Sequence, residues 1–513
     1  MLATDHDTIA PTPTSTRAQA QDLARRMSDK VLVEGALRAP RADQRFAVEN
    51  PADLESIGHA PRCGEPDVAE AVRAAERAFG TWRRVSARER GDRLRRIADR
   101  VEEQKESLAR LLALETGNAL ATQARPEVVA AIELLRLFAG FASELKGRTL
   151  PWDADTLCYT TRDPLGVVGA IIPWNAPLLL TAAKVGPAII AGNSVVLKTA
   201  EQAPLAALRL GELMQEFLPP GVVNVVSGFG EEAGRPLALH PSVRKITFTG
   251  SCAVGSAVMH YAADKICPVT LELGGKSPNI VFDDADLDLV VPGILTGMRF
   301  TRQGQSCSAG SRILVHERVY DEVVQRVIAS LRRLRIGDPL DEATEVGAII
   351  SHEQFERIEH YVGLARSTPG ATVLCGGGRP SGPGIGRGYF LEPTLIEGIP
   401  HHSPVCRDEI FGPVATIERF GSFDDALAIA NDTRFGLAAA VWTRDLGRAF
   451  QFVDRIEAGF VQVNQYITPR ASLAYGGLKM SGLGKENSLE SMLEHFTSSK
   501  TVIVNYRSGE THA

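Results

Sequence analysis

The chain lacks the cysteine spacing of a cross-linked or metal-bound scaffold. Its seven cysteines, Cys63, Cys158, Cys252, Cys267, Cys307, Cys375 and Cys406, are odd in number, widely separated and free of any C-x-x-C pair. That pattern argues against a disulfide framework or a metal site of the zinc type, and it fits a reducing cytoplasm. The chain also lacks blocks of like charge. Its 56 Lys and Arg stand against 62 Asp and Glu, a net charge of -6, so no nucleic acid and no membrane surface is expected as a partner. A basic start followed by an apolar run is missing too; residues 1–17 are rich in Thr, Pro, Ala and Asp and read as part of a disordered tail over 1–30. Finally, no apolar stretch of membrane-spanning length is unbroken. Residues 165–192 come nearest, but Pro173, Asn175, Pro177, Lys184 and Pro187 interrupt them, which leaves a strand, a turn and a buried helix.

What is present is length and alternation. At 513 residues the chain exceeds what one core fills, so two or more domains are expected. Residues 67–146 carry Val68, Val72, Ala75 and Phe79 at three- and four-residue spacing, and the charges of 84–107 fall on a solvated helical face. From Gly166 onward, apolar runs alternate with helical ones: 167–172, 194–198, 222–226 and 245–249, then 280–282, 313–315, 414–417 and 439–442. Unbroken apolar strands separated by helices predict an α/β protein with parallel sheets covered on both faces. In such sheets ligands bind beyond the carboxyl ends of the strands. Residues 157–161 and 500–506 read as strands outside this alternation, and the second leaves an edge that a subunit contact would cover.

Two stretches carry reactive groups. Residues 300–310 place Cys307 among small and polar neighbours, Gly304, Gln305, Ser306, Ser308 and Gly310, where a thiolate would be reachable by a substrate. A free cysteine is more often a small buried hydrophobe. Upstream, Glu272 stands between Leu271 and Leu273 just before Gly274 and Gly275; it is either a general base or a strand-end carboxylate paired with Lys276.

Five strings in one order then become specific together: Pro173-Trp174-Asn175, Phe248-Thr249-Gly250-Ser251, Glu272-Leu273-Gly274-Gly275-Lys276-Ser277-Pro278, Gly304-Gln305-Ser306-Cys307 and Glu409-Ile410-Phe411-Gly412-Pro413. Over residues 45–500 the chain resembles the NAD(P)-dependent aldehyde dehydrogenase superfamily. The resemblance implies a Rossmann-type cofactor domain (31–144 and 164–275), a second α/β catalytic domain (276–485) and a small β oligomerisation arm (145–163 and 486–513). It implies that Cys307 attacks an aldehyde, that the Asn175 amide and the Cys307 N–H hold the oxyanion, and that Glu272 activates the water that hydrolyses the thioester. A homodimer or homotetramer is expected, built partly from residues 149–161 and the strand near Val502.

The Gly-x-Gly-x-x-Gly fingerprint is absent, so the cofactor residues rest on the resemblance. It implies NAD held by Ile171, Pro173, Trp174, Lys198, Glu201, Gly230, Gly250, Ser251, Leu273, Glu409 and Phe411. Gly250 and Ser251 precede a helix whose free N–H groups favour a phosphate. Glu201 would accept a hydrogen bond from the 2′-hydroxyl and repel a 2′-phosphate, which favours NAD over NADP.

The expected substrate pocket is lined by Ala176, Leu179, Leu180, Ala183, Thr301, Ser306, Ser308, Pro469 and Tyr475. Relatives that act on small aldehydes carry aromatic side chains at several of these places, so small residues here predict a wide tunnel and a bulky, apolar or aromatic aldehyde. Arg302 is the residue that would instead favour an acidic semialdehyde. Gln462 and Thr199 depart from the family's usual tryptophan and proline. Two other readings are a CoA-acylating enzyme, against which Glu272 speaks, and a catalytically silent NAD-binding protein, against which Cys307, Glu272 and Asn175 speak together.

Overall fold

The computed structural model describes residues 13–382, 385–467 and 470–506. Its first sheet runs, edge to edge, through Ala36–Arg38, Val31–Val33, Val223–Val226, Ser194–Lys198, Val167–Ile171, Val243–Thr249, Val269–Glu272 and Gly482–Leu483. The inner strands from Val223–Val226 to Val269–Glu272 are mutually parallel. Every residue of Val167–Ile171 and Ser194–Lys198 is buried, because alternate side chains enter two different cores. Val168, Ala170, Val195 and Leu197 face the helices Arg125–Gly140, Pro177–Ala191 and Leu205–Gln215. Val167, Ile171 and Val196 face Glu65–Trp82 and its neighbours. This two-sided burial is what unbroken apolar strands predict.

The second sheet runs through Thr372–Cys375, Thr394–Glu397, Val414–Phe420, Arg312–His316, Pro278–Val281, Ala438–Trp442 and Phe460–Val463, again largely parallel. A third, three-stranded sheet joins Thr149–Leu150, Thr156–Pro164 and Thr497–Asn505. Its long pair is antiparallel from Thr497↔Pro164 to Asn505↔Thr156. Ile503 and Val504 remain exposed there. Among the described residues no helix is long and apolar enough to cross a membrane.

Three expectations are corrected. The tail expected over 1–30 contains the helix Pro13–Met27, whose Ala20, Ala24 and Met27 are buried and whose Arg17 reaches Asp53 at 2.6 Å and Asp338 at 2.5 Å. Alanines at four-residue spacing form a thin apolar stripe that a Thr- and Pro-rich composition hides; residues 1–12 lie outside the described residues. The arm expected from 486 begins instead at Thr497, since the helix Leu489–Phe496 buries Met492 and Phe496 in the core of the first sheet. The division at 276–485 also leaks, because Gly482–Leu483 pairs antiparallel with Val269–Glu272.

Candidate active site

The parallel strands of the first sheet end at Ile171, Lys198, Val226, Thr249 and Glu272, so the turns that follow open along one edge. The turn after Ile171 carries Pro173, Trp174 and Asn175 and leads into the helix Pro177–Ala191. That helix starts at a buried carboxylate: Glu127 Oε1 accepts from the N–H groups of Leu178 and Leu179 at 3.0 and 3.5 Å. Asn175 is buried, and its Nδ2 donates to Gln305 O at 3.0 Å. An amide nitrogen has two hydrogens, so the second is available for a substrate oxygen. The same bond fastens the Asn175 turn to the loop of Cys307.

That loop follows the short 3-10 turn Phe300–Arg302. Gln303 and Gly304 both take the left-handed conformation, and a Cβ on Gly304 would overlap the Gly412 carbonyl; the glycine is required there. Cys307 is half-buried, and its Sγ lies 3.5 Å from the Tyr475 hydroxyl. Burial pushes the thiol up to about 11, with the carboxylates of Glu409 and Glu272 adding to the shift and the Tyr475 hydroxyl opposing it. A Cβ on Gly275 would lie 2.5 Å from Cys307 O, so the Glu272 strand end and the Cys307 loop pack backbone to backbone.

Glu272 is buried at the end of its strand, and neither carboxylate oxygen has a hydrogen-bond partner among the described residues. The expected alternative partner is elsewhere: Lys276 Nζ donates to Val405 O at 2.8 Å. Burial, then the charge of Glu486, raises Glu272 well above the usual carboxylate range, while Lys184 and Lys485 oppose the rise. Lys184 and Glu486 were not anticipated as site residues. Lys184 Nζ is fully buried and donates to Glu486 Oε1 at 2.8 Å and to Thr247 Oγ1 at 3.0 Å. Its signal was in plain sight, a single cation within the apolar helix Pro177–Ala191. Lys485 Nζ donates to Gly476 O, and a Cβ on Gly476 would come within 2.5 Å of Glu272 Oε1.

Of the residues expected at the cofactor, most follow strand ends of the first sheet, while Glu409 and Phe411 come from the loop after Pro404–Arg407. Lys198 Nζ donates to Glu201 Oε2 at 3.3 Å, so the local ion pair is present. Ser251 caps the helix Cys252–Ala263, its Oγ accepting from Val254 N at 3.3 Å. Gly250 packs on the Phe248 ring and Leu273 on Gly255. Gly230 is exposed and begins the single π-helical turn Gly230–Gly234. Glu409 Oε1 accepts from Gly275 N at 3.0 Å, and burial pushes this carboxyl up to about 7. A Cβ on Gly274 would overlap that carboxylate. Phe411 holds φ +60° and meets Trp174 edge to face at 5.2 Å. A capped helix start for a diphosphate, a Lys–Glu pair at a strand end for ribose hydroxyls, and the Trp174–Phe411 aromatic pair fit a nicotinamide dinucleotide.

On the substrate side, Ala176 is buried at the helix start and Leu179 and Leu180 are half-buried on its first turn. Ala183 lies deeper, inside the main core. Ser306 and Ser308 stand hydroxyl to hydroxyl at 3.3 Å on either side of Cys307. Thr301 Oγ1 accepts from Gln123 Nε2 at 2.7 Å. Pro469 lies outside the described residues. Arg302 is turned onto Glu127: Nη2 reaches its Oε2 at 3.3 Å and Nε donates to Gln123 Oε1 at 3.0 Å. Arg299, also unanticipated, is buried among Tyr466, Arg302, Tyr475 and Cys307, and its Nη2 has no hydrogen-bond partner among the described residues.

Known proteins resemble this chain across nearly its whole length. The model of the aldehyde dehydrogenase family matches residues 38–502. Acetaldehyde dehydrogenase 2 of Cupriavidus necator is 42% identical over 92% of this chain and 94% of its own length. Retinaldehyde dehydrogenase 3 of Rattus norvegicus is 41% identical over 93% and 92%. The crystal structure of betaine aldehyde dehydrogenase from Staphylococcus aureus in complex with NAD+ superposes with a TM-score of 0.93 at 35% identity, covering 97% of this chain and 99% of that one. With a family match over residues 38–502 and relatives 42% and 41% identical across nearly the whole chain, the chain belongs to the aldehyde dehydrogenase family.

Proposed function

We propose that this aldehyde dehydrogenase oxidises a bulky, apolar aldehyde to the carboxylic acid through a thioester on Cys307. The observation that carries the reading is convergence. The turn of Asn175, the loop of Cys307 and the strand end of Glu272 come from three separate parts of the chain, and Gln305 O and Gly275 pin them together. The Cys307 sulfur attacks the carbonyl carbon, a C–S bond forms, and the carbonyl electron pair moves to oxygen. The free Asn175 N–H and the Cys307 backbone N–H hold that anion; losing one such donor costs about 10²–10³ in rate. NAD, when bound, supplies the hydride acceptor that this chemistry requires. Lys198 and Glu201, the start of Cys252–Ala263 and Glu409 would hold it. Glu272 then takes a proton from the water that splits the thioester, releasing the acid and freeing the sulfur.

Glu201 supports NAD over NADP, since a carboxylate beside the 2′-hydroxyl repels a 2′-phosphate. Replacing Glu201 by Ser should raise NADP relative to NAD by about tenfold in kcat/KM, the worth of one charge-assisted hydrogen bond. An unchanged ratio would place the discrimination elsewhere. The exposed strand Thr497–Asn505 supports a homodimer or homotetramer, and seven cysteines without a disulfide support a reducing cytoplasm.

The side chains near the Asn175 turn support the substrate class. Ala176, Leu179 and Leu180 offer an apolar surface, and Arg302 is paired with Glu127. Each methylene buried there is worth about 0.8 kcal/mol, so a short aldehyde forfeits an order of magnitude or more. One observation favours a second reading: Arg299, buried and short of a partner, suits an acidic semialdehyde. The deciding measurement is kcat/KM for benzaldehyde and larger apolar aldehydes against acetaldehyde and succinate semialdehyde. Higher values for either small substrate would overturn the wide apolar tunnel.

A further inference from the structure

Tyr475 enters the site as a pocket aromatic, but its hydroxyl rather than its ring is what meets the nucleophile. The Tyr475 oxygen lies 3.5 Å from Cys307 Sγ, within the longer reach of a hydrogen bond to sulfur. Its ring is held edge to face on Phe460 at 5.6 Å. Its backbone is held twice, Tyr475 N donating to Glu486 O at 3.0 Å and Glu486 N to Tyr475 O at 2.8 Å. The phenol is therefore presented by the same short pairing that carries Glu486 to Lys184 and Thr247. It is not a loose side chain that happens to lie near the thiol.

The setting gives that hydroxyl something to do. Facing Cys307 are the carboxyl groups of Glu272 at the end of its strand and Glu409 from the loop after Pro404–Arg407, the guanidinium of Arg299 at the end of Leu287–Met298, and the Tyr466 phenol. Two carboxylates and burial all resist negative charge on the sulfur. Tyr466 is committed elsewhere, its hydroxyl donating to Ser308 O at 2.8 Å. Among the described residues, Tyr475 is the neighbour whose hydroxyl meets Sγ, and the Ser308 hydroxyl competes for it. A thiol ordinarily ionises before a phenol. Once the sulfur has lost its proton it accepts only, so the phenol must be the donor.

Resting on the reading of Cys307 as nucleophile, we propose that Tyr475 is a further catalytic residue, whose O–H donates to the Cys307 sulfur and holds the thiolate against the facing carboxylates. As the C–S bond forms, the sulfur's charge passes to the carbonyl oxygen, and the phenol keeps its own proton throughout. The O–H therefore acts on the nucleophile, while Asn175 acts on the oxyanion.

The test is Tyr475→Phe, which keeps the ring and its contact with Phe460. The rate of alkylation of Cys307 by iodoacetamide is followed from pH 8 to pH 12, a range that spans the raised thiol, without NAD or aldehyde and with mass mapping of the labelled cysteine. The midpoint should rise by about one pH unit, a tenfold loss of thiolate at fixed pH, because a hydrogen bond to a charged acceptor is worth about that much. The NADH burst should slow about tenfold at neutral pH while NAD affinity holds. An unchanged midpoint with the fold intact by melting temperature would overturn the proposal, since a ring that only packs would not move the thiol's titration. Ser308→Ala gives an independent reading if Tyr475→Phe fails to fold. It frees Tyr475 from its competing hydroxyl, so the midpoint should hold or fall, and a rise of one unit would also overturn the proposal. Alkylation needs no aldehyde turnover, so these outcomes are separable from failure of the proposed oxidation.

Discussion

Cys307→Ala is expected to lower kcat/KM for every aldehyde by about 10⁴-fold or more while leaving the affinity for NAD within about twofold. Removing a covalent nucleophile typically abolishes all but the contribution of binding and oxyanion donors. Among the described residues no second nucleophile is placed to replace the sulfur, since Ser306 and Ser308 face each other rather than a base. The cofactor residues hang on other elements: Lys198 on Glu201, Ser251 on its own helix, Glu409 on Gly275. The fold should tolerate the change, because Cys307 is half-buried and the loop is fixed by Asn175 and by the left-handed turn at Gln303 and Gly304. Steady-state rates and quenching of protein fluorescence by NAD measure the two halves of the claim. Residual turnover above a few per cent would remove Cys307 from the mechanism.

How much of this was legible before the structure depended on whether a residue's partners were local. The runs at 167–172 and 194–198 announce buried parallel strands because each side chain, on either face, is apolar, and the two cores on opposite sides of that sheet are what such runs require. The Cys307 loop and the Glu272 turn were legible because their chemistry is written in consecutive residues. Contacts across hundreds of residues were not. Lys184 reads as an interruption of an apolar stretch, yet its carboxylate partner, Glu486, is 302 residues away. Arg302 reads as a cation aimed at the substrate until Glu127, 175 residues earlier, is seen beneath it. The helix Pro13–Met27 hides for a different reason: alanines carry little hydropathy, and only its packing on Lys105–Thr116 shows that the stripe matters.

Glu272→Gln should separate the two halves of the reaction. In the proposed mechanism the first turnover ends with the thioester on Cys307 and needs the sulfur and the oxyanion donors, so it should survive as an NADH burst of near-normal amplitude. Thioester hydrolysis needs a base, and positioned bases contribute about 10²–10⁴-fold; the steady state should fall by that much. The pH dependence gives a sharper mark. Burial and the neighbouring Glu486 hold the Glu272 carboxyl protonated to higher pH than an ordinary glutamate. A base works only in its deprotonated form, so hydrolysis in the native enzyme should be slow at acid pH and rise as pH climbs through that raised value. In Glu272→Gln this limb should vanish and leave a flat, low rate. Lys184 and Lys485 oppose the rise, so replacing Lys485 with Met should move the limb to still higher pH without changing the burst. The experiment is a stopped-flow series at several pH values with steady-state rates taken on the same samples. If the burst disappeared together with the steady state, Glu272 would be acting before the thioester, as the group that takes the proton from Cys307. A glutamine variant that kept the native pH limb would instead assign hydrolysis to another base, and Glu409, raised to about 7 beside the same sulfur, would be the next residue to replace.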